Sequence, residues 1–470
     1  MQFLTRQTLT IMITSTSQNT HETNTANNAS CTTISTILTL AIPTFGQLIA
    51  EPAFVLIDTA IVGHIGGQAL AGLSVGSTIV LTVVGLCVFL AYSTTSQVGR
   101  LLGAGKRREG LEAGVDGLWL AGIIGVVVSV MLFVIARPLC MSMGAQGSVL
   151  HNAVDYVRAV VFGIPGMLLV YAANGIFRGL QKVRITLVAA VAGAVLNTIL
   201  DLLLIIGFGW GVFGSGVATL ISQWFMAVVL IVPAVLWTRA EDARLKPRLS
   251  GVLSSAGDGA VLFVRTLALR ACLVANVVLA THMGVQVLAA YQVVNSSWNF
   301  VLNMLDAIGI AGQTLVAAQI GARHEREAMR LTRIAGRSGL CGGVAIGIGL
   351  MIAGWCASPL FSQSIEIQHL ITVGMMVVGV TLPLAGWMWA VDGILIGAGD
   401  YRYLALTCMA TAAIYVPCLA AIGWICDAVH ASSALRMALL WFAVNLLFVG
   451  LRAVFNGFRI RTSTWLHIEC

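Results

Sequence analysis

The chain has 470 residues, of which 58% are hydrophobic and only 10% charged, with a mean hydropathy of +0.93. One water-soluble core could not hide that much apolar surface, and the long polar helix faces of a large soluble α/β protein are missing. The net charge of +7 could suit nucleic acid, but its distribution along the loops excludes that reading.

Residues 1–37 are rich in Ser, Thr and Asn and read as a disordered leader. They lack the basic stretch, apolar run and cleavage site of a signal peptide, and Met12 is another possible start. Twelve apolar stretches of membrane-crossing length follow. Six make a first lobe over 38–240, with spans near 40–63, 70–96, 113–136, 152–175, 185–206 and 213–237. A linker, 241–251, leads to a second lobe over 252–457, with spans near 258–281, 287–312, 335–356, 370–391, 403–425 and 434–456. Residues 458–470 form a tail. The fold class is therefore an all-α integral membrane protein.

Seventeen Lys and Arg residues fall in the even-numbered loops, against two, Arg137 and Arg436, in the odd-numbered ones. Positive residues stay on the cytoplasmic side during insertion, which places both termini there, in a cell (plasma) inner membrane. The ten cysteines are scattered, mostly within apolar spans, and no CxxC pair occurs.

The segment HIGGQALAGLSV at 64–75 matches HMGVQVLAAYQV at 282–293 with an offset of 218, and six of twelve positions are identical. The same ungapped offset aligns Gly103-Ala104 with Gly321-Ala322 and residues 165–184 with 383–402. One register held over so long a stretch marks an internal repeat. Because 218 residues cover six spans, the halves share one orientation, an arrangement that suits alternating access about a central site.

An ionised carboxylate in hydrocarbon costs several kcal/mol unless it is paired or wet, so each one needs a reason. Asp58 lies six residues before His64, roughly 9 Å at helical rise, and Asp201 lies six before Gly207. Both helices run outward, so the two acids reach a similar depth and could share one cavity. Asn197, four residues before Asp201, is on the same helical face. At the repeat-related positions Asp58 becomes Asn276, Asn197 becomes Tyr415 and Asp201 becomes Leu419. That asymmetry points to a coupling-ion site, for a proton or Na+, in the first half.

Glu51 precedes the helix-bending Pro52, whose repeat partner is Arg270, so a Glu51–Arg270 pair across the lobes would account for both charges. Arg265 has a plainer account, snorkelling toward the cytoplasm. Asp306 and Asp392 sit nearer the cytoplasmic ends, where water or helix capping could satisfy them. Trp387, Met388, Trp389 and the Met375-Met376 pair could wall an adaptable apolar cavity. No nucleophile triad, Walker loop or metal-ligand cluster emerges, so no cofactor is expected.

These residues resemble the multidrug and toxic compound extrusion (MATE) family, in particular its branch named after the DNA-damage-inducible F protein. The likeness spans residues 38–457 and is carried by AEPAFVLIDTAIVGHIGG, GAGKRRE, NGIFRGLQK, LNTILD and DGILIGAGD, in that order. It implies an H+- or Na+-coupled antiporter exporting amphipathic, often cationic, compounds. It also implies a first-lobe cation site of Asp58, Asn197, Asp201 and Thr219, with Asn174 beside it. Where some relatives resemble a Tyr one turn before Asp58, this chain has Phe54.

The expected partners are amphipathic small molecules and membrane lipids, not nucleic acid, with the protein a monomer. Two rival readings stand: a flippase for lipid-linked or polysaccharide precursors, encouraged only by Arg265 and Arg270, and a non-transporting membrane enzyme or scaffold.

Overall fold

A computed structural model of the chain describes residues 34–467. The expected leader falls almost entirely outside those residues, as does the end of the tail. Twelve long helices follow one another: α1 Ile34–Gly63, α2 Gly67–Gly103, α3 Arg107–Ser142, α4 Gly147–Gly179, α5 Val183–Gly207, α6 Gly211–Ala240, α7 Leu249–His282, α8 Val285–Gly321, α9 Glu325–Cys356, α10 Ile365–Ala398, α11 Tyr401–Ala428 and α12 Ser433–Arg461. Their outward faces are apolar. Val127, Val130 and Val134 on α3 and Val188, Val195 and Ile199 on α5 are exposed, as helices require when hydrocarbon is their solvent.

Every expected span lies within one of these helices, but the helices run longer. The span expected at 70–96 extends to Gly103, for example. An apolar window ends where polar residues begin, yet in the last turns of α2 the polar groups of Ser96, Gln97 and Arg100 bond to protein rather than water.

The repeat identities have structural causes. Gly66 and Gly284 precede α2 and α8 with φ of 148° and 116°, a backbone region that disfavours any side chain. Gln68 accepts a hydrogen bond from Ser148 at 2.8 Å, and its counterpart Gln286 donates to Glu366, the counterpart of Ser148, at 2.7 Å. Gly175 packs on Ala91, and its counterpart Gly393 packs on Gly309, the counterpart of Ala91. Small residues of this kind let membrane helices approach closely enough for dispersion to hold them together.

Two hydrophobic cores result. One is built wholly from second-half residues, including Trp298, Met375, Met388 and Trp441. The other fills the first half and continues into α8, α10 and α11 through residues such as Leu315, Ile394 and Leu404.

The hydrogen bonds between the halves cluster on one face of the bundle. Tyr92 Oη donates to Asp306 at 3.2 Å, and Gln313 Nε2 donates to the Tyr92 carbonyl at 2.9 Å. Nearer the helix ends, Gln97 joins Asp258 and Ser255, Ser96 Oγ reaches the Gly397 carbonyl and Arg100 reaches that of Ala398. The linker is tied in by Arg244 on Glu112 at 2.8 Å, a hydrogen bond that raises the guanidinium above its ordinary value, and by the Arg248 N–H on Asp116. Among the described residues, the face that carries the basic loops is therefore the sealed one. Two of the basic residues assigned to those loops, Arg100 and Arg178, are in fact buried in the bundle.

Candidate functional site

In the first half, α1, α5 and α6 bring four polar side chains together. Asp58 is 3% exposed, Asp201 0%, Asn197 1% and Thr219 2%. Ser215 Oγ donates to Asp58 Oδ1 at 2.6 Å. With the Asn197 amide oriented by its neighbours, its nitrogen donates to Asp201 Oδ2 at 2.8 Å and its oxygen accepts from the Thr219 N–H at 3.3 Å. The four-residue spacing of Asn197 and Asp201 makes the first contact local. The α-helix ends at Asp201, and residues Leu202–Gly207 continue as a π-helix, a departure frequent at functional sites.

A cavity of about 100 Å³ opens beside these residues, lined by Gln47, Phe54, Asp58, Tyr156, Asn174 and Thr219 among others. That volume holds a few waters, and it falls below the ~300 Å³ at which small-molecule sites begin. Asp58 and Thr219 line it, whereas Asp201 and Asn197 stand behind, so the expectation of one cavity shared by both carboxylates is corrected: Asn197 joins Asp201 to the Thr219 backbone, and Asp58 is held by Ser215. The two acids remain close enough to interact electrostatically. Asp201 Oδ1 and Asn174 Oδ1 are buried without a hydrogen-bond partner, and Thr219 Oγ1 lies beside the Tyr156 hydroxyl. Among the described residues, no cluster of His, Cys, Asp and Glu suits a transition metal.

The second half handles the corresponding positions differently. Tyr415 Oη donates to Asn276 Oδ1 at 2.5 Å, and Leu419 is buried, so a neutral pair replaces the acids. The counterparts of Gln47 and Asn174 are Arg265 and Asp392, and here several expectations are corrected. Arg265 does not snorkel; it is 7% exposed and paired with Asp392. Asp392 is satisfied neither by water nor by a cap, because Arg265, Arg452 at 3.1 Å and Asn456 at 3.1 Å surround it. Burial leaves a carboxylate no cheaper partner than a guanidinium. Trp389 meets Trp298 edge-on, with ring centroids 6.3 Å apart, and carries the Arg452 guanidinium on its face at 5.2 Å, while Trp387 lines an apolar pocket between α10 and α12. Met375 and Met388 lie in the second-half core. Asp306 takes its hydrogen bond from Tyr92 in the other half.

The expected Glu51–Arg270 pair lies outside the described residues on the Glu51 side, although the Glu51 backbone is helical. Arg270 reaches across the halves to Gly85, where a Cβ would sit 3.1 Å from its Nη2.

Sequence reasoning missed Ser215, although it sits four residues before Thr219 on the same face of α6. It also missed Arg178, whose Nη2 donates at 2.9 Å to Gln47, a residue lining the cavity.

The sequence profile of the MatE family matches residues 43–203 and 250–421, one segment in each half of the repeat. The chain belongs to the MatE family. Members of this family are secondary transporters rather than enzymes, so the chain is a multi-pass membrane transporter of the drug- and toxin-efflux type. Among curated relatives, Protein DETOXIFICATION 44, chloroplastic, of Arabidopsis thaliana is 28% identical over 91% of this chain and 82% of its own length. DNA damage-inducible protein F of Escherichia coli (strain K12) is 27% identical over 76% of this chain and 79% of its own. The fold matches that of the Vibrio cholerae MATE transporter VcmN in its bent form with a TM-score of 0.82, at 18% identity, covering 92% of this chain and 98% of that one.

Proposed function

We propose that the protein is an antiporter that exports amphipathic organic compounds, many of them cationic, in exchange for a proton or, in its place, Na+. Asp58 and Asp201 bind the coupling ion, while Asn197 orients Asp201 and Thr219 lines the cavity beside Asp58. The observation that carries this reading is the asymmetry between halves: two buried acids in the first, Asp58 on a small cavity and Asp201 with an unpartnered oxygen, and a neutral Tyr415–Asn276 pair in the second. A pair of acids needed only for helix packing would have no cause to keep an oxygen unpartnered.

Residues 38–240 and 252–457 act as two lobes that rock about their junction, with both termini cytoplasmic in a plasma membrane and the protein working as a monomer. The basic loops support that orientation, and the sealed face then corresponds to a state closed to the cytoplasm. The flippase reading loses much of its support, since Arg265 is neutralised by Asp392.

Proteoliposomes with an imposed ΔpH or ΔNa+ test the proposal. Efflux of a fluorescent organic cation should follow one gradient and collapse with an ionophore that dissipates it. Flux indifferent to both gradients would refute antiport.

A further inference from the structure

Five arginines lie inside the membrane-spanning bundle, and four have clear partners, with Arg100 bonding to the Ala398 carbonyl. Arg265 and Arg452 share Asp392, and Arg178 bonds to Gln47. Arg270 is different: it is exposed, and among the described residues it makes no ion pair or hydrogen bond. A guanidinium stays charged at any accessible pH, and holding it at membrane depth costs several kcal/mol unless it is wet or paired. Unpaired among the described residues, which do not include the Glu51 side chain, Arg270 is a cation open to an anion.

Its surroundings say what kind. Arg270 stands in a groove of about 880 Å³ between α7 and α11, within the ~300–1,000 Å³ range of small-molecule sites. The walls are apolar, with Leu267, Ala275, Leu279, Leu419, Ala420 and Trp424 among them. The groove follows α7 outward from Arg270 to His282, about 18 Å at helical rise. The carboxylate on its rim, Asp427, is already held by Arg436 at 3.0 Å and does not compete for Arg270. One fixed positive charge at one end of a long apolar trough is complementary to a molecule with an anionic head and a slender apolar body.

We propose that the α7–α11 groove binds a single-chain amphipathic anion, its carboxylate or sulfate on Arg270 and its chain against the apolar walls. This deepens the transport reading, on which its role as cargo rests, by adding anions to the compounds carried. Binding itself needs no gradient and can be tested separately.

The test uses the full chain in nanodiscs of a zwitterionic phospholipid, with radiolabelled dodecanoate and dodecyltrimethylammonium as matched probes. Arg270→Gln should weaken dodecanoate binding by about tenfold, the loss of one charge-assisted partner, and leave the ammonium probe unchanged. Arg270→Lys should retain most of the affinity. Gly423→Leu, whose side chain starts 2.7 Å from Leu279 Cδ1 and occupies the trough, should weaken both probes if both use it and dodecanoate alone if only anions do; either result supports the groove.

Dodecanoate binding that is indifferent to both Arg270→Gln and Gly423→Leu overturns the proposal. So does competition by anionic phospholipid that persists undiminished in Arg270→Gln, which would mark the binding as lipid adsorption elsewhere. A failure of gradient-driven cation efflux would refute antiport without touching this result, and the reverse also holds.

Discussion

Gly103 and Gly321 hold matching positions in the two halves, and each lies against the backbone of the other's helix. A Cβ on Gly103 would overlap the Ala318 carbonyl oxygen, and a Cβ on Gly321 would overlap that of Arg100. Arg100 and Ala318 are themselves separated by the repeat offset of 218, so the contact is reciprocal. This crossing of α2 and α8 lies at the centre of the sealed face, beside the Ser96 and Arg100 bonds to the end of α10.

Gly103→Val or Gly321→Val should therefore prevent that face from closing. Forcing methyl groups into such a contact costs about 1–3 kcal/mol or more, enough to move a two-state equilibrium roughly tenfold or further. A cysteine placed at Ser96 should gain reactivity toward an impermeant thiol reagent applied from the side of the basic loops, while export falls. An equally protected cysteine and normal export would show that the crossing is not part of the gate.

The Arg265–Asp392–Arg452 cluster should prove structural. Asp392→Asn leaves two buried guanidinium groups without a counter-charge and should cost about 3–5 kcal/mol. The loss should appear as a lower unfolding temperature of the detergent-solubilised protein. Replacing Arg265 and Asp392 together by Met and Leu, which still leaves Arg452 without a carboxylate, should recover part of the stability. A double variant no more stable than Asp392→Asn would argue that the charges have another task.

Ser215 should matter through Asp58. Ser215→Ala removes the 2.6 Å hydrogen bond and leaves a buried carboxylate one donor short, at a cost of about 1–3 kcal/mol. Gradient-driven efflux should fall several-fold, Ser215→Thr should retain most of it, and membrane abundance should not change. Unaltered efflux in the alanine variant would separate Ser215 from the coupling site.

The legible part of this protein was the part written in local patterns. Apolar windows gave the twelve spans because a bilayer tolerates little else. The offset of 218 was visible because residues such as Gly66, Gln68 and Gly103 perform the same task as Gly284, Gln286 and Gly321, and so keep the same identity. Asn197 and Asp201 were readable together because four residues make one helical turn.

What escaped was contact at a distance. Arg265 and Asp392 are 127 residues apart, and nothing in either neighbourhood tells a buried pair from two residues near a membrane surface. Trp389 carries the same letters whether it faces a cavity or the core, and only Trp298 and Arg452 on either side decide it. The extra helix length was hidden because Gln97 and Arg100 look like loop residues until their partners across the junction are seen.

The most direct test of the central claim is efflux driven by an imposed gradient in proteoliposomes carrying Asp58→Asn or Asp201→Asn, compared with gradient-free counterflow of the same organic cation. The account predicts that both variants insert and fold normally, that each loses gradient-driven efflux, and that counterflow persists. Gradient-driven efflux at the wild-type rate in both variants would contradict it.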